Sequence, residues 1–141
     1  MANVFYDKAK KNLWNGVIGD LSSVTLKVML VTSSYGPSQT GDEFKSSVTN
    51  EVTGTGYTAG GATLTSCAVT ADTTNHRGKF TADNVTWSTA TLTAAGAVIY
   101  NSTGTDSTSP ILGYIDFGGN KSSSAGNFTI QWDGTNGIAY F

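Results

Sequence analysis

The sequence predicts an all-β fold, a single β-sandwich or jelly-roll-like domain over residues 1–141. An N-terminal helix or arm is expected over 1–20 and a long irregular loop over about 33–61. Charged residues make up only 13% of the chain, about half the usual share, and Ser, Thr, Gly and Asn replace them. From about residue 62 onward, short apolar or alternating segments are separated by turn signals, which is typical of sandwiches and barrels.

The N-terminal segment predicts the one helix of the chain. Asn3 is a residue type that caps helices, and Phe5, Ala9 and Leu13 then recur at helical spacing. Lys8 lies off that apolar row, and a following glycine can end the helix. The same segment is alternatively an arm that docks on a partner.

Residues 24–32 predict a central strand. Val24, Leu26, Val28 and Leu30 share one face, and the residues between them make the second face partly apolar. A strand that is apolar on both faces is expected in the middle of a sheet or beneath the helix.

A glycine-rich stretch at 50–61 ends the long irregular loop. Its Gly54, Gly56 and Ala59 fit a loose dinucleotide-binding spacing, which requires a helix directly afterwards. Residues 60–70 carry two glycines and three threonines and predict a strand instead. The stretch is therefore predicted to be a surface loop pinned by Tyr57.

The remaining chain predicts a succession of short strands, seven or eight in the whole protein. Strands are expected at 62–70, 76–81, around 85–87, at 96–100, after Pro110, at 128–132 and at 138–141, with loops at 101–109 and 118–126. The Asp-Gly and Asn-Gly pairs at 133–137 predict a hairpin that joins the last two strands.

Charge and composition exclude several classes of partner. The net charge is −2, so neither a basic face nor nucleic-acid binding is expected. No apolar run reaches 18 residues, and the N-terminus lacks the pattern of a signal peptide, which predicts no membrane contact and synthesis in a cytoplasm. Cys67 is the only cysteine, so no internal disulfide is possible.

No pattern in the chain points clearly to a reaction, and no cofactor, metal or catalytic residue is predicted. Cys67 and His76 flank a predicted turn without a third member of a triad. The acidic residues are scattered and lack the spacing of a calcium loop, although carboxylate pairs remote in sequence stay open. The candidate residues for stacking on sugars are Tyr35, Tyr57, Trp87 and Trp132. The two tryptophans occupy apolar strand positions, which favours core packing for them.

Several blocks together resemble a family of small virion structural proteins of tailed bacteriophages. They are residues 50–61 (NEVTGTGYTAGG), 85–87 (VTW), 97–100 (AVIY), 112–118 (LGYIDFG) and 128–132 (FTIQW), preceded by a short helix and residues 26–31 (LKVMLV). The resemblance covers nearly the whole chain, although each block alone is a β-packing motif.

The resemblance implies a non-enzymatic capsid decoration, or cement, protein on the outer surface of the virion. Its implied partners are the major capsid protein and further copies of itself, as a homotrimer. A tail or fibre component, or a carbohydrate-binding module for host attachment, is the alternative. Loops and the N-terminal arm are natural contact elements, and the candidate contact residues are Phe5, Lys8, Lys11, Tyr35, Phe44, Gly54, Gly56 and Tyr57.

Overall fold

The computed structural model describes residues 2–141, so Met1, with which the predicted domain and arm begin, lies outside the described residues. The elements are β1 (Val4–Phe5), α1 (Asp7–Trp14), β2 (Leu26–Val31), β3 (Ala62–Thr63), β4 (Ala68–Asp72), β5 (Arg77–Thr81), β6 (Val85–Asn101), β7 (Ile111–Ile130) and β8 (Ala139–Tyr140). Two short 3₁₀ turns, Lys45–Ser47 and Asp106–Thr108, lie in the loops.

The strands form two antiparallel sheets, which confirms the all-β prediction. The larger sheet has the order β1-β7-β6-β2-β3, and the smaller one has the order β4-β5-β8. The jelly-roll form of the prediction is not confirmed. In the described part of the chain, no helix is long and apolar enough to cross a membrane.

β2 is an interior strand of the larger sheet, between β6 and β3, as its sequence predicted. It pairs with β6 from Leu26↔Asn101 to Val31↔Gly96 and with β3 at its other edge. Five of its six side chains are buried. Both faces are covered, which is why the apolar residues do not alternate with polar ones.

A long hairpin of β6 and β7 replaces several predicted short elements. β6 has 17 residues and joins the predicted segments at 85–87 and 96–100, while β7 has 20 residues and includes the predicted loop at 118–126. The loop prediction failed because residues 121–123 and Gly126 still pair with β6. Register shifts accommodate the residues between these pairs. Across the strands, the Oγ1 atom of Thr93 lies 2.7 Å from the Oγ atom of Ser122.

The N-terminal helix is confirmed, but its predicted start is wrong. Asn3 does not cap it, because the Asn3 Oδ1 atom accepts a hydrogen bond from the Asp116 N–H. Phe5 belongs to β1, opposite Gly113, and α1 begins two residues later at Asp7. Pairing with the edge of β7 therefore overrides the helical spacing of Phe5 with Ala9.

Two further strand predictions need correction. Residues 62–70 form two strands in different sheets, β3 and β4, separated by a bend in which Ser66 has a positive φ of 54°. The turn at 133–137 forms, but β8 then pairs with β5 and not with β7, so the predicted hairpin is absent. Local turn signals fixed the turn but not the sheet in which the next strand lies.

The glycine-rich stretch is a loop packed on β6, and β3 follows it instead of a helix. A Cβ atom on Gly54 would collide with the carbonyl oxygen of Thr91. Tyr57 is held in the domain, since its hydroxyl accepts a bond from the Leu30 N–H (3.0 Å) and donates to Glu51 Oε1 (2.7 Å). The predicted pinning by Tyr57 is confirmed.

Replacement of Gly56 by alanine tests this packing. Gly56 has a φ of +81°, and an added Cβ would lie 2.8 Å from the Cα atom of Ala90. We expect Gly56→Ala to lower the free energy of unfolding by about 2–4 kcal/mol, from backbone strain together with overpacking. Gly16→Ala is the control, because Gly16 has a φ of +78° with nothing within 4 Å, so only about 1 kcal/mol of strain is expected there. Equal losses in urea unfolding would contradict the packing argument.

Candidate protein-interaction surface

An apolar cleft lies between α1 and the smaller sheet. Its volume is about 370 Å³, and it is lined mainly by carbon-rich side chains: Phe5, Leu13, Trp14, Leu21, Val69, Phe80, Leu112, Ala139, Tyr140 and Phe141. We call this surface the apolar cleft. Few polar groups reach it, the exceptions being Asp20 and Lys79.

The most exposed large apolar side chains of the described residues gather at this cleft. Trp14 is 89% exposed, Phe141 68%, Val69 53% and Tyr140 51%, and all four line it. The fifth, Val17, follows α1. Single exposed apolar residues are ordinary, but a contiguous group marks an interaction site.

The helical wall of the cleft comes from the last turn of α1. Leu13 is half-buried, while Trp14, the final helical residue, points away from the core and remains exposed. Adjacent helical residues are about 100° apart around the axis, so one covers the core and the next faces outward. The end of the helix thus presents an exposed indole that is not part of the hydrophobic core.

The opposite wall is formed by the C-terminal residues, which are fixed by pairing. The Gly78 N–H donates to the Phe141 carbonyl at 2.9 Å, and the Phe141 N–H donates to the Gly78 carbonyl at 3.1 Å. The Phe141 ring meets Phe5 edge-on, with centroids 5.4 Å apart. The Arg77 guanidinium lies 4.0 Å from the centroid of the Tyr140 ring, a cation–π contact. These aromatic groups are therefore preorganised although they are exposed.

Glu43 ties α1 to the long loop. Its carboxylate accepts bonds from Lys11 Nζ (2.9 Å) and Asn12 Nδ2 (3.1 Å), and Lys8 Nζ lies 3.8 Å away. Lys8 also donates to the Gly41 carbonyl at 2.8 Å. The hydrogen bond from Lys11, followed by that from Asn12, lowers the pKa of Glu43.

A buried chain of hydroxyl groups reinforces this attachment. The hydroxyls of Tyr6 and Tyr35 lie 2.8 Å apart, and the Tyr35 hydroxyl donates to Asp42 Oδ2 at 2.9 Å. Burial raises the pKa values of both tyrosines well above their usual range, so both remain neutral. Together with Glu43, these contacts fix the position of α1 and hence of Trp14.

The eight predicted contact residues differ in exposure: one is buried, four are half-buried, and Lys11, Gly54 and Gly56 are exposed. Phe5 alone lines the apolar cleft. Lys8 and Lys11 bind the loop around Glu43, and Tyr35 is buried. Phe44 is half-buried and bridges to Pro110.

The remaining predicted contact residues belong to the glycine-rich loop. Gly54 and Gly56 are exposed yet lie against β6, and Tyr57 is half-buried with its ring centroid 5.9 Å from that of Trp87. Any contact at this loop would therefore involve its outer backbone surface and not the tyrosine hydroxyl, which is already bonded.

The residues considered as candidates for catalysis or metal binding lie far apart or have other partners. Cys67 precedes β4 and His76 follows it, so a strand that rises about 3.3 Å per residue separates them by on the order of 15 Å. Asp72 binds Arg77, Asp106 binds Lys45, and Asp133 accepts bonds from the backbone of its own turn. Within residues 2–141, no group of three or more His, Cys, Asp or Glu residues is placed to hold a metal ion.

The aromatic residues weighed for sugar stacking are packed in the domain. Tyr35 and Trp87 are buried, and Tyr57 and Trp132 are half-buried. The Trp132 indole N–H also donates to the Asp83 carbonyl at 2.8 Å. These four residues do not form an exposed row.

Comparison of the chain with protein-family models, with curated proteins and with solved structures finds no match.

Sequence reasoning missed the exposed aromatic residues of the cleft. Trp14 lies outside the apolar row of Ala9 and Leu13, which was the available signal that it faces away from the core. Tyr140 and Phe141 looked like the end of an ordinary hairpin strand. Their exposure depends on the pairing of β8 with β5, which no local pattern encodes.

Replacement of Glu43 by glutamine tests the attachment of α1. Because the pKa of Glu43 is lowered in the folded protein, its charge stabilises the fold above its ordinary pKa of 4.5, and this contribution is lost as the pH falls through the lowered value. We expect Glu43→Gln to lower the free energy of unfolding by about 1 kcal/mol at pH 7, with a smaller difference at pH 3, below the ordinary pKa of the carboxyl group.

The control for this experiment is Asp7→Asn, which removes the exposed ion pair with Lys10 at 3.1 Å. An exposed pair at this spacing contributes about 0.5 kcal/mol or less. Urea unfolding at pH 7 and pH 3 measures both variants. A Glu43→Gln difference that is the same at both pH values would refute the assigned role of the carboxylate.

Proposed function

We propose that this chain is a non-enzymatic structural protein of a tailed-bacteriophage virion that binds the outer surface of the assembled capsid. The proposal is supported by the resemblance of the blocks described above, and one structural observation carries it further. The exposed apolar side chains gather in a preorganised cleft, whereas the residues weighed for catalysis are dispersed. Such a surface suits a protein that acts by contact.

The major capsid protein is the proposed occupant of the apolar cleft. An interface of this kind derives most of its affinity from a few central aromatic residues, and Trp14 and Phe141 meet that description. The Tyr140 and Phe141 rings are held by main-chain pairing and by their contacts with Arg77 and Phe5, so little of their conformational entropy is lost on binding.

A protein that binds the capsid only after assembly stabilises the assembled shell. A protein that binds the assembled shell and not the free subunits shifts the equilibrium towards the shell. If several copies engage neighbouring capsid subunits together, modest single interfaces add up to strong attachment by effective concentration. The resemblance implies a homotrimer, and any closed oligomer that presents several clefts to the shell would act in this way.

Replacement of Trp14 by serine tests this surface. Since Trp14 is 89% exposed, its loss should change the free energy of unfolding by no more than about 0.5 kcal/mol. Removal of a central tryptophan from an interface costs about 2 kcal/mol or more, so we expect affinity for purified phage heads to fall by at least about 30-fold. Co-sedimentation with phage heads measures this affinity.

The matched controls are Trp14→Phe and Asn120→Ser. The first keeps an aromatic ring and should retain most of the binding, and the second alters an exposed residue that does not line the cleft. Equal binding by Trp14→Ser and the unaltered protein would exclude the cleft as the capsid contact. Binding to tails or to glycans in place of heads would favour the attachment alternatives.

A further inference from the structure

The outer edge of β7 is only partly occupied. β1 pairs with it at Gly113 and Tyr114, and within residues 2–141 no other strand pairs with that side of β7. Beyond a bulge that follows Asp116, residues 128–130 run in unbroken register with Val85, Thr86 and Trp87 of β6. The end of this long strand is therefore an open sheet edge, which is the usual template for strand addition.

The direction of the backbone groups at this edge follows from two hydrogen bonds. The Oγ atoms of Thr86 and Thr129 lie 2.9 Å apart, which marks a closely spaced pair whose main chains are not bonded to each other. The Trp132 N–H points to the β6 side, where it donates to Asn84 Oδ1 at 2.9 Å. By strand alternation, the N–H and C=O groups of Asn127, Thr129 and Gln131 face the open edge.

A groove of about 570 Å³ runs along this edge. Its apolar lining includes Ile115, Phe117, Phe128, Ile130, Trp132 and Ile138. A strand placed on the edge would therefore gain both main-chain bonds and apolar contacts for alternate side chains.

We propose that the occupant of this edge is the same segment of a second copy, paired antiparallel about a two-fold axis at Thr129. The binary pattern of residues 127–131 is symmetric about Thr129, with Phe128 and Ile130 flanked by Asn127 and Gln131. In this register Phe128 of each copy lies opposite Ile130 of the other, and the two amide side chains lie opposite each other. About six main-chain hydrogen bonds form, because three outward-facing residues each donate and accept.

The charges near the segment do not oppose this arrangement. Residues 122–132 carry no charge, and Lys121 and Asp133 lie at its opposite ends. In the register centred on Thr129, position 121 lies opposite position 137 and position 133 lies opposite position 125, so no like charges face each other. The two-fold contact uses each β7 edge once, so it closes as a dimer and does not extend into fibres.

Replacement of Thr129 by proline tests the proposal directly. Proline removes an N–H that no strand within residues 2–141 uses, and edge strands tolerate it. Thr129→Ala is the matched control, since it loses the same hydroxyl contact with Thr86 but keeps the N–H. In sedimentation equilibrium across micromolar concentrations, we expect dimers of the unaltered protein and of Thr129→Ala, and at least a tenfold weaker association of Thr129→Pro.

A cross-linking experiment keeps the test decisive if the proline variant does not fold. Two-fold pairing places the two 129 positions directly opposite, within the Cα separation that a disulfide requires. Thr129→Cys in a Cys67→Ser background should form a covalent dimer on mild oxidation, while Thr86→Cys in the same background, one strand further from the axis, should not. A monomer at all concentrations, a trimer unaffected by Thr129→Pro, or equal cross-linking at 86 and 129 would overturn the proposal.

The dimer and the capsid contact are independent. Trp14 does not line the β7 groove, so Trp14→Ser should remain dimeric whatever its effect on binding to heads. Loss of dimerisation in Thr129→Pro with unchanged binding to heads would support the two-fold contact and leave the capsid proposal to its own test.

Discussion

The pairing of β6 with β7 is the contact on which the rest of the structure depends. β6 pairs with β2 on one side and with β7 on the other, and β7 carries β1, which in turn leads into α1. Residues 54–56 of the glycine-rich loop also lie against β6. A hairpin of this length keeps its register through bulges that absorb the extra residues of β7, and these bulges also limit how much of the outer edge is regular.

The two candidate surfaces differ in their physical character. The apolar cleft presents exposed aromatic rings on supports fixed by main-chain bonds, so its affinity would come from desolvation of those rings. The β7 edge presents unpaired backbone groups beside half-buried apolar side chains, so its affinity would come from main-chain bonds in a fixed register. The two surfaces require different partners and do not share Trp14 or Thr129.

The attachment of α1 shows how polar contacts support an apolar surface. Asn12 and Tyr6 are buried, and both have hydrogen-bond partners, as do all the buried side-chain polar atoms of the described residues. The contacts of Glu43 and of the Tyr6–Tyr35–Asp42 chain hold the helix, and Trp14 remains exposed. The exposed indole is consequently a property of the attachment and not of the helix alone.

The sequence by itself determined the all-β class, the interior strand β2, the existence of α1 and the turn at 133–137, because these depend on local periodicity and turn chemistry. It did not determine that Phe5 leaves the helix for β1, that residues 118–126 belong to β7, or that β8 joins β5. Each of those outcomes depends on which distant strand offers unpaired backbone groups. Only the tertiary structure therefore decided where the apolar cleft and the open β7 edge lie.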